Sequence, residues 1–232
     1  MNKITYLDGA RWHRALVAGT RNLLSRQEYL NKINVFPVPD GDTGTNMAFT
    51  LTSILDSTAQ KIHIRTDDML ALIADAALDG ARGNSGVILA QFFQGLSDGA
   101  AGVDKMTPEG FAKAIQFGAE YARQALAEPI EGTILTVLTD FSNHLFELIE
   151  SNNYDFEHLL AMGINEAEKS LKNTPNLLVV LKKAGVVDAG AQGFVDLLHG
   201  ILYFVKDGDL RGFKADIKKQ TITLDLTNTE GN

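Results

Sequence analysis

Apolar residues recur every three or four positions along most of this chain, from about residue 10 to residue 206. That spacing follows the turn of an α-helix and places the apolar side chains on one face. One such stripe consists of Ile134, Leu138, Phe141, Leu145 and Leu148. Within this range the helical period dominates over the alternation that is typical of half-buried strands. The sequence therefore predicts an all-α domain.

Helix boundaries are predicted from capping residues, prolines and glycines. Thr107 and Thr174 each offer an N-cap hydroxyl ahead of a proline, which is favoured at the first helical position. Thr66 is a further candidate N-cap, and Gly80 and Gly185 are candidate helix ends. The predicted helices span residues 10–31, 46–58, 67–79, 85–96, 108–127, 131–151, 155–172, 175–184 and 190–206. Because the connections are short, we expect neighbouring helices to be antiparallel.

Composition narrows the classes of function. The chain of 232 residues contains no cysteine, which excludes disulfides, thiolate catalysis and cysteine-ligated metal centres. Its formal net charge of -8, with no stretch basic enough to track a phosphate backbone, argues against nucleic acid as a partner. The N-terminal residues lack the pattern of a signal peptide, and no apolar stretch is long enough to span a membrane. We therefore expect a soluble, cytoplasmic protein.

The last part of the chain has a different pattern. Residues 221–226 alternate polar and apolar side chains, after a basic stretch over residues 214–219. This pattern is consistent with a single strand, a linker or the first element of a following domain. We therefore divide the chain into a domain over residues 1–209 and a separate segment over residues 210–232.

Three segments combine glycine with Asp, Asn, Ser or Thr, and each precedes or opens a predicted helix. They span residues 40–46, 80–86 and 188–193. A helix N-terminus presents unpaired N–H groups and a partial positive charge, so a glycine-rich entry allows an anion to approach the backbone. Any one of these segments alone is more typical of a structural turn with a polar cap. Their joint occurrence favours an anion-binding site.

Two aspartates lie in the first of these segments, at positions 40 and 42. Their carboxylates would repel a bare phosphate. A hard cation between them removes this conflict, because Mg2+ takes oxygen ligands from carboxylates and phosphates together. Pro37 and Pro39 restrict the backbone ahead of the aspartates and hold the two carboxylates near each other. We therefore interpret Asp40 and Asp42 as Mg2+ ligands.

Other types of site fit the sequence less well. A calcium-binding EF-hand loop that began at Asp40 would need Gly and Glu where the chain has Thr45 and Leu51. The P-loop pattern is absent, and residues 83–86 lack the glycine spacing and the preceding strand of a hydrolase nucleophile elbow. The histidines show no zinc-ligand spacing. They are His13, His63, His144, His158 and His199.

Four segments resemble a known family when they are taken together and in order. They span residues 34–47, 80–89, 131–136 and 174–178. Over about residues 8–206, the chain is similar to the nucleotide-binding domain of bacterial fatty acid kinases, in the dihydroxyacetone kinase L-subunit (DhaL-like) superfamily. The resemblance implies an antiparallel eight-helix barrel that binds ATP at one end through its connecting loops. It also implies two Mg2+ ions beneath the phosphates.

The resemblance assigns roles to individual residues. The implied catalytic residues, as Mg2+ ligands, are Asp40 and Asp42. Phosphate contacts are implied for Thr43, Gly44, Thr45 and Asn46. A second phosphate or nucleoside contact is implied for Gly83, Asn84, Ser85 and Gly86. The remaining nucleotide wall is implied for Thr133, Asn176, Asp188 and Gly190.

Two positions differ from the dihydroxyacetone kinase version of the pattern. That version has a third Asp where this chain offers Asn34, and a His where this chain has Thr43. Fatty acid kinases share both differences, so the resemblance favours that branch. In this interpretation Asn34 is the third metal ligand.

The resemblance implies transfer of the ATP γ-phosphoryl group to a fatty acid carboxylate, which gives an acyl phosphate. In the family a DegV-type lipid-binding protein holds the acid, and residues 6–14 also resemble versions in which both parts share one polypeptide. Two alternatives remain open. One is a module that binds ATP or ADP and regulates a neighbouring domain without turnover, and the other is a dihydroxyacetone-type kinase subunit. The sequence also leaves a homodimer open.

Overall fold

The computed structural model describes residues 4–151 and 154–207, which form α-helices joined by short connections. In chain order the helices are α1 (Gly9–Ser25), α2 (Gln27–Lys32), α3 (Thr43–Gln60), α4 (Thr66–Asp79), α5 (Gly83–Gly99), α6 (Pro108–Gln124), α7 (Ile134–Ser151), α8 (Phe156–Leu177), α9 (Val179–Ala184) and α10 (Ala189–Asp207). Only α2 and α9 among them are as short as 6 residues. An isolated antiparallel bridge joins Leu7 to Met106. The prediction of an all-α fold is confirmed.

The longer helices pack side by side in a closed ring. Each of them lies against the next one along the chain, and α10 closes the ring against α1. Glycine allows close approach at this closure, because a Cβ atom at Gly200 would overlap the backbone of Ala18 and Gly19. With α2 and α9 set aside as parts of connections, the described residues form the expected antiparallel eight-helix barrel.

Aromatic and aliphatic side chains fill the barrel. The ring of Phe194 on α10 makes edge contacts with Phe92 and Phe141, with centroids 5.7 Å apart in both pairs. Such edge-to-face pairs are a favoured aromatic geometry. Trp12 and Phe93 are also buried. Since side chains occupy the interior, groups that bind a ligand have to come from the ends of the barrel.

The predicted helix over residues 10–31 is two helices. Helix α1 ends at Ser25 and α2 begins at Gln27, with Arg26 between them at φ -113° and ψ 6°. The Arg26 side chain donates from Nε to Oδ2 of Asp196 on α10 over 2.9 Å. This long-range ion pair fixes the residue at which the helix breaks, and periodicity cannot reveal it.

The predicted helix start at Thr174 and Pro175 is wrong. Helix α8 continues through both residues to Leu177. Pro175 has no N–H to donate to the carbonyl of Leu171, four residues earlier. The Thr174 hydroxyl donates to that carbonyl instead, over 2.8 Å, so the helix continues past the proline. The next helix, α9, begins at Val179.

Of the other helix boundaries predicted from caps and glycines, three are confirmed and one is wrong. Thr107 caps α6 by accepting a backbone N–H at 3.2 Å, Gly80 follows α4, and Gly185 ends α9 in the left-handed region at φ 69°. The N-cap predicted at Thr66 is wrong. Thr66 is the first residue of α4, and its hydroxyl donates to the carbonyl of Leu7 over 2.8 Å. A tertiary contact therefore replaces the local cap.

Two predictions concern residues outside the described part of the chain. These are the strand over residues 221–226 and the boundary after residue 209. Within residues 4–151 and 154–207, the helices are too short or too polar to cross a membrane.

The two ends of the barrel carry different groups. At one end, Gly9 of α1 donates its N–H to the carbonyl of Ile64 in the α3–α4 connection, over 2.8 Å. Because successive helices alternate in direction, the N-termini of α3, α5, α7 and α10 lie together at the opposite end. At that end, each of the three glycine-containing segments predicted to bind an anion covers the end of a connection and the first residues of the helix that follows.

Candidate active site

Two adjoining cavities lie among the N-termini of α3, α5, α7 and α10. The smaller has a volume of about 220 Å³ and the larger about 250 Å³. The residues that line both are Phe36, Pro37, Thr43, Asn84 and Ser85. A helix N-terminus carries a partial positive charge and free N–H groups, so this end of the barrel suits an anionic ligand.

The smaller cavity contains the acidic groups. Its walls include Asp40 and Asp42, both exposed to solvent, and Asn46 on α3. Gly41, at φ 68°, turns the chain between the two aspartates in a conformation that other residues rarely adopt. The two carboxylates therefore line one small space at the start of α3. This is the arrangement that the sequence predicted for them.

Asn34 lies buried beside this acidic loop, with 6% of its surface exposed. Its side-chain Nδ2 donates a hydrogen bond to Oδ1 of Asp40 over 2.7 Å. Its own Oδ1 has no hydrogen-bond partner among the described residues. Leaving a buried amide oxygen unpaired is costly, so this atom is suited to a ligand that the chain itself does not supply.

Gly83 brings the N-terminus of α5 against α3. It has φ 57°, and a Cβ atom at this position would overlap the amide of Asn46. A glycine is therefore required for α5 to begin this close to α3. As a result Asn84 and Ser85, the next two residues of α5, face the same space as Thr43 of α3.

The larger cavity is mainly apolar. Its apolar walls are Phe36, Pro37, Ile88, Leu126, Ala127, Ile130 and Ile134. Glu131 stabilises the connection that carries several of these residues, since it accepts hydrogen bonds from Thr136 and from Arg123, both at 2.6 Å. These bonds, the Thr136 bond first, lower the pKa of Glu131. The wall is thus held in place by polar contacts outside the cavity.

Asp188 is a buried carboxylate that lines the larger cavity. Its side chain accepts the backbone N–H of Ala191 at 2.9 Å and that of Ile134, so it joins the N-termini of α10 and α7. Its own N–H donates to the Thr174 hydroxyl over 3.1 Å. Burial raises the pKa of Asp188 to about 6, and the two backbone hydrogen bonds offset only part of that effect.

Two predicted phosphate contacts on α3 lie outside both cavities. A Cβ atom at Gly44 would overlap the α2 backbone. The backbone N–H of Thr45 donates to Oδ1 of Asn31 over 3.1 Å, and its hydroxyl accepts from Nδ2 of Asn31 over 2.9 Å. These residues attach the start of α3 to α2.

Two further predicted residues also lie apart from the cavities. Gly86 packs against the hydroxyl of Thr50. Asn176 is exposed at the end of α8 and donates to Oδ1 of Asn173 over 3.0 Å. By contrast, Thr133 and Gly190 line the larger cavity, as the resemblance implies for a nucleotide wall.

Sequence patterns did not predict the apolar wall of the larger cavity. Ile88 belongs to the apolar face of α5, where a cavity-lining residue has the same spacing as a core residue. Ile130 lies in an irregular connection, just outside the family segment over residues 131–136. Phe36 was within a predicted site segment, and its place beside the two prolines was the available signal.

The acidic loop contains two carboxylates that could hold a metal ion. Residues 4–151 and 154–207 contain no group of three or more His, Cys, Asp or Glu side chains that could hold one. Mg2+ is commonly bound through one or two carboxylates together with water and substrate phosphates, so two aspartates suffice for it. With the unpaired oxygen of Asn34, the loop offers the hard oxygen ligands that Mg2+ prefers. The residues fit this ion.

Comparison with known proteins identifies the family. The DAK2 domain family matches residues 37–203, which include both aspartates, the start of α5 and Asp188. The chain belongs to this family. An uncharacterized protein of Staphylococcus saprophyticus is 36% identical to this DAK2 domain over 219 residues, and one of Staphylococcus epidermidis is 37% identical over 223 residues. The matches cover 94% and 96% of this chain, which spans 40% and 39% of those proteins.

Solved structures share the fold of this DAK2 domain. The dihydroxyacetone kinase of C. freundii in complex with AMP-PNP and Mg2+ matches with a TM-score of 0.63 and 19% identity, over 87% of this chain and 35% of that one. The native form of the same kinase matches with a TM-score of 0.60 and 20% identity, over 84% of this chain and 34% of that one. The all-α barrel is therefore the fold found in part of a kinase.

Proposed function

We propose that this DAK2 domain transfers the γ-phosphoryl group of Mg-ATP to the carboxylate of a fatty acid held by a DegV-type protein or domain. The observation that carries the proposal is the pairing of an acidic cavity with a larger apolar one across Thr43, Asn84 and Ser85. ATP is likewise apolar at one end, where it has an aromatic base, and charged at the other, where it has the phosphates.

The nucleotide is proposed to lie across both cavities. Its base packs against apolar side chains such as Ile88 and Ile130 in the larger cavity. Its phosphates lie at the start of α3 and α5, where Thr43 and Ser85 are close to free backbone N–H groups. A kinase that shares this fold over part of its chain was solved in complex with AMP-PNP and Mg2+, which supports a nucleotide and Mg2+ as ligands.

The acidic loop is proposed to hold Mg2+, and two ions are expected from the resemblance to fatty acid kinases. Asp40 and Asp42 would be its carboxylate ligands, with Oδ1 of Asn34 as a third oxygen. When bound, Mg2+ neutralises negative charge on the phosphates. Asn34 additionally holds the Asp40 carboxylate in one orientation through its 2.7 Å hydrogen bond.

A fatty acid carboxylate needs no general base, because it is ionised at neutral pH. One carboxylate oxygen forms a bond to the γ-phosphorus. The bond from that phosphorus to the β–γ bridging oxygen breaks, and ADP leaves with the electron pair. The products are an acyl phosphate and ADP, and no proton is transferred. The site therefore has to supply orientation and charge neutralisation.

The acyl chain is proposed to stay on the partner. The cavity inside the barrel, among Trp12, Phe92 and Phe194, has a volume of only about 30 Å³. This leaves room for only one or two water molecules, so an acyl chain cannot enter. The exposed Asp40 and Asp42 open the acidic cavity to the surface, where a partner can present the carboxylate.

A regulatory module that binds nucleotide without turnover is the second candidate. It is favoured by the acidic cavity, whose described walls contain two carboxylates rather than the three of dihydroxyacetone kinases. The third candidate function is a dihydroxyacetone-type kinase, for which small ketones are the test substrates.

Acyl phosphate formation tests the proposal. The chain is mixed with Mg-ATP and an oleate-loaded DegV-type protein, hydroxylamine traps the acyl phosphate, and hydroxamate and ADP are measured. We expect equal amounts of both products, only when oleate is present. Asp42→Asn should lower the rate more than about 100-fold, beyond the usual cost of losing a group that supports a metal ligand. The matched control Asp56→Asn, at an exposed position of α3, should keep full activity.

The other outcomes identify the alternatives. Nucleotide binding without hydroxamate or ADP formation would contradict the fatty acid kinase and support the regulatory module. ADP formation that depends on dihydroxyacetone rather than on oleate would support the ketone kinase.

A further inference from the structure

Arg82 lies at the outer edge of the acidic cavity. It is the residue before α5, and its guanidinium carbon lies over the ring of Phe49, 4.4 Å from the centroid. Both residues are at the surface, with 47% of Phe49 exposed. A guanidinium stacked on an aromatic face is held in orientation while its N–H groups at the edge stay free to donate.

The position of this pair follows from the contact between α3 and α5. Gly83, which follows Arg82, lies against Asn46, and both residues line the acidic cavity. Phe49 is on α3, nearly one helical turn after Asn46. Arg82 and Phe49 are therefore next to the cavity without being part of its lining.

The guanidinium of Arg82 has no carboxylate partner among the described residues. Other arginines in this part of the chain form ion pairs: Arg11, Arg26, Arg65 and Arg123. The described linings of the two cavities contain carboxylates but no lysine or arginine. Arg82 is thus a cation beside an acidic site, with its donors available to an external oxyanion.

We propose that Arg82 binds the carboxylate of the phosphoryl acceptor at the mouth of the acidic cavity, while Phe49 contacts the adjacent methylene groups. This inference rests on the proposed function, because it names how the acceptor of that reaction is recognised. Transfer to a carboxylate brings two anions together beside Asp40 and Asp42. A guanidinium offsets this repulsion and matches a carboxylate with two parallel hydrogen bonds.

The geometry favours the acceptor over the nucleotide as the bound oxyanion. A nucleotide phosphate would lie in the cavities, against the helix N-termini, whereas Arg82 is outside their lining. An exposed apolar ring beside the cation also suits an amphiphile, in which hydrocarbon follows directly after the charged group. In a nucleotide, no hydrocarbon chain follows directly after the phosphate groups.

The test separates acceptor binding from nucleotide binding. Initial rates are measured against the concentration of oleate-loaded DegV-type protein at saturating Mg-ATP, and Tm is measured with and without Mg-ADP. We expect Arg82→Gln to raise the KM for the loaded partner about tenfold, the usual cost of a lost hydrogen bond to a charged group. Its rise in Tm with Mg-ADP should equal that of the unmodified chain. Arg82→Lys, which keeps the charge and loses the paired donors, should give an intermediate KM.

The matched control is Arg14→Gln. Arg14 is an exposed arginine in the first half of α1, near the end of the barrel opposite the cavities. We expect this variant to keep the KM of the unmodified chain. An unchanged KM in Arg82→Gln, an equal change in Arg14→Gln, or a lost Mg-ADP effect on Tm in Arg82→Gln would each overturn the inference.

A failure of the proposed kinase activity can be distinguished from a failure of the role of Arg82. If the unmodified chain forms no acyl phosphate, the proposed function fails, and the affinity for the partner in the presence of Mg-ADP becomes the measurement. Arg82→Gln should then weaken binding of the oleate-loaded partner and leave binding of the empty partner unchanged. Equal affinities for the loaded partner with and without the substitution would overturn the role of Arg82 as well.

Discussion

The side-chain amide of Asn34 holds Oδ1 of Asp40 in a 2.7 Å hydrogen bond while its own oxygen, buried in the same place, has no partner in the described chain. One side chain thus orients a carboxylate and offers a second oxygen beside it. Asn34 therefore has a part in both the stability of the loop and its proposed affinity for Mg2+.

Replacement of Asn34 should separate these two effects. Asn34→Ala frees Asp40 and removes the amide oxygen, so we expect Mg2+ to bind roughly 10 to 100 times more weakly in the presence of ATP. Titration of the ATP-dependent rise in Tm with Mg2+ measures this. Asn143→Ala, at an exposed position of α7, is the control and should titrate like the unmodified chain. An unaltered titration in Asn34→Ala would remove Asn34 from the site.

The buried Asp188 predicts a pH dependence of stability. Its pKa is about 6 in the folded chain and about 4 when unfolded. Between these values the folded state binds more protons, so the contribution of Asp188 to the free energy of unfolding decreases as pH rises from about 4 to 6. Over that range the unmodified chain should lose on the order of 3 kcal/mol relative to Asp188→Asn, which does not titrate.

Urea unfolding of both forms at several pH values checks this prediction. The difference between them should be constant above pH 7. A difference that is constant from pH 4 upward would contradict a raised pKa for Asp188 in the folded chain. Asp56→Asn is the matched control, since an exposed carboxylate should show little dependence on pH.

The contact between α3 and α5 at Gly83 can be tested by substitution, with Gly102 as the control. Both have positive φ, at 57° and 78°, but a Cβ atom would overlap Asn46 at Gly83 and meet nothing within 4 Å at Gly102. Gly102→Ala should cost only backbone strain, about 1 kcal/mol. Gly83→Ala should cost more and also reduce the Mg-ATP effect on Tm, because Asn46 has to move. Equal effects on unfolding in urea would mean that the Asn46 contact is not tight.

Thr45 and Ser85 distinguish a structural residue from a binding residue. The Thr45 hydroxyl is bonded to Asn31 and Gln27, whereas Ser85 faces both cavities. Thr45→Val should lower the free energy of unfolding by about 1 to 3 kcal/mol without nucleotide. Ser85→Ala should leave that value within about 0.5 kcal/mol and reduce the rise in Tm with Mg-ATP. The reverse pattern in thermal melts would restore Thr45 as a phosphate contact.

Local sequence patterns predicted most of the fold, because each barrel helix buries one regular apolar stripe. They failed where a specific hydrogen bond, in one case between distant segments, decides the local structure. Thr174 lies before a proline and would cap a helix by local rules, but its hydroxyl satisfies the carbonyl that Pro175 leaves unpaired. Thr66 likewise bonds to Leu7, far away in the chain. Simple capping rules do not include the first contact, and the second has no signature in the segment around Thr66.

The candidate site shows the same division between local and long-range information. Asp40 and Asp42 lie in a short segment with unusual composition, so the sequence alone was enough to predict them as candidates. The apolar wall with Ile88 and Ile130 comes from separate connections that only the closed barrel brings together. Asn176 matched a family segment in sequence, but the continuation of α8 carries it to an exposed position.

Helix α10 runs from the cavities to the opposite end of the barrel. Gly190 lines the larger cavity, and Asp207 ends the helix roughly 25 Å away, given a rise of 1.5 Å per residue. A fluorophore, tag or tethered domain attached at Asp207 would therefore start at the end of the barrel away from both cavities. To reach the acidic loop, a tethered domain would have to fold back along the outside of the barrel, whereas a separate protein could approach that loop directly.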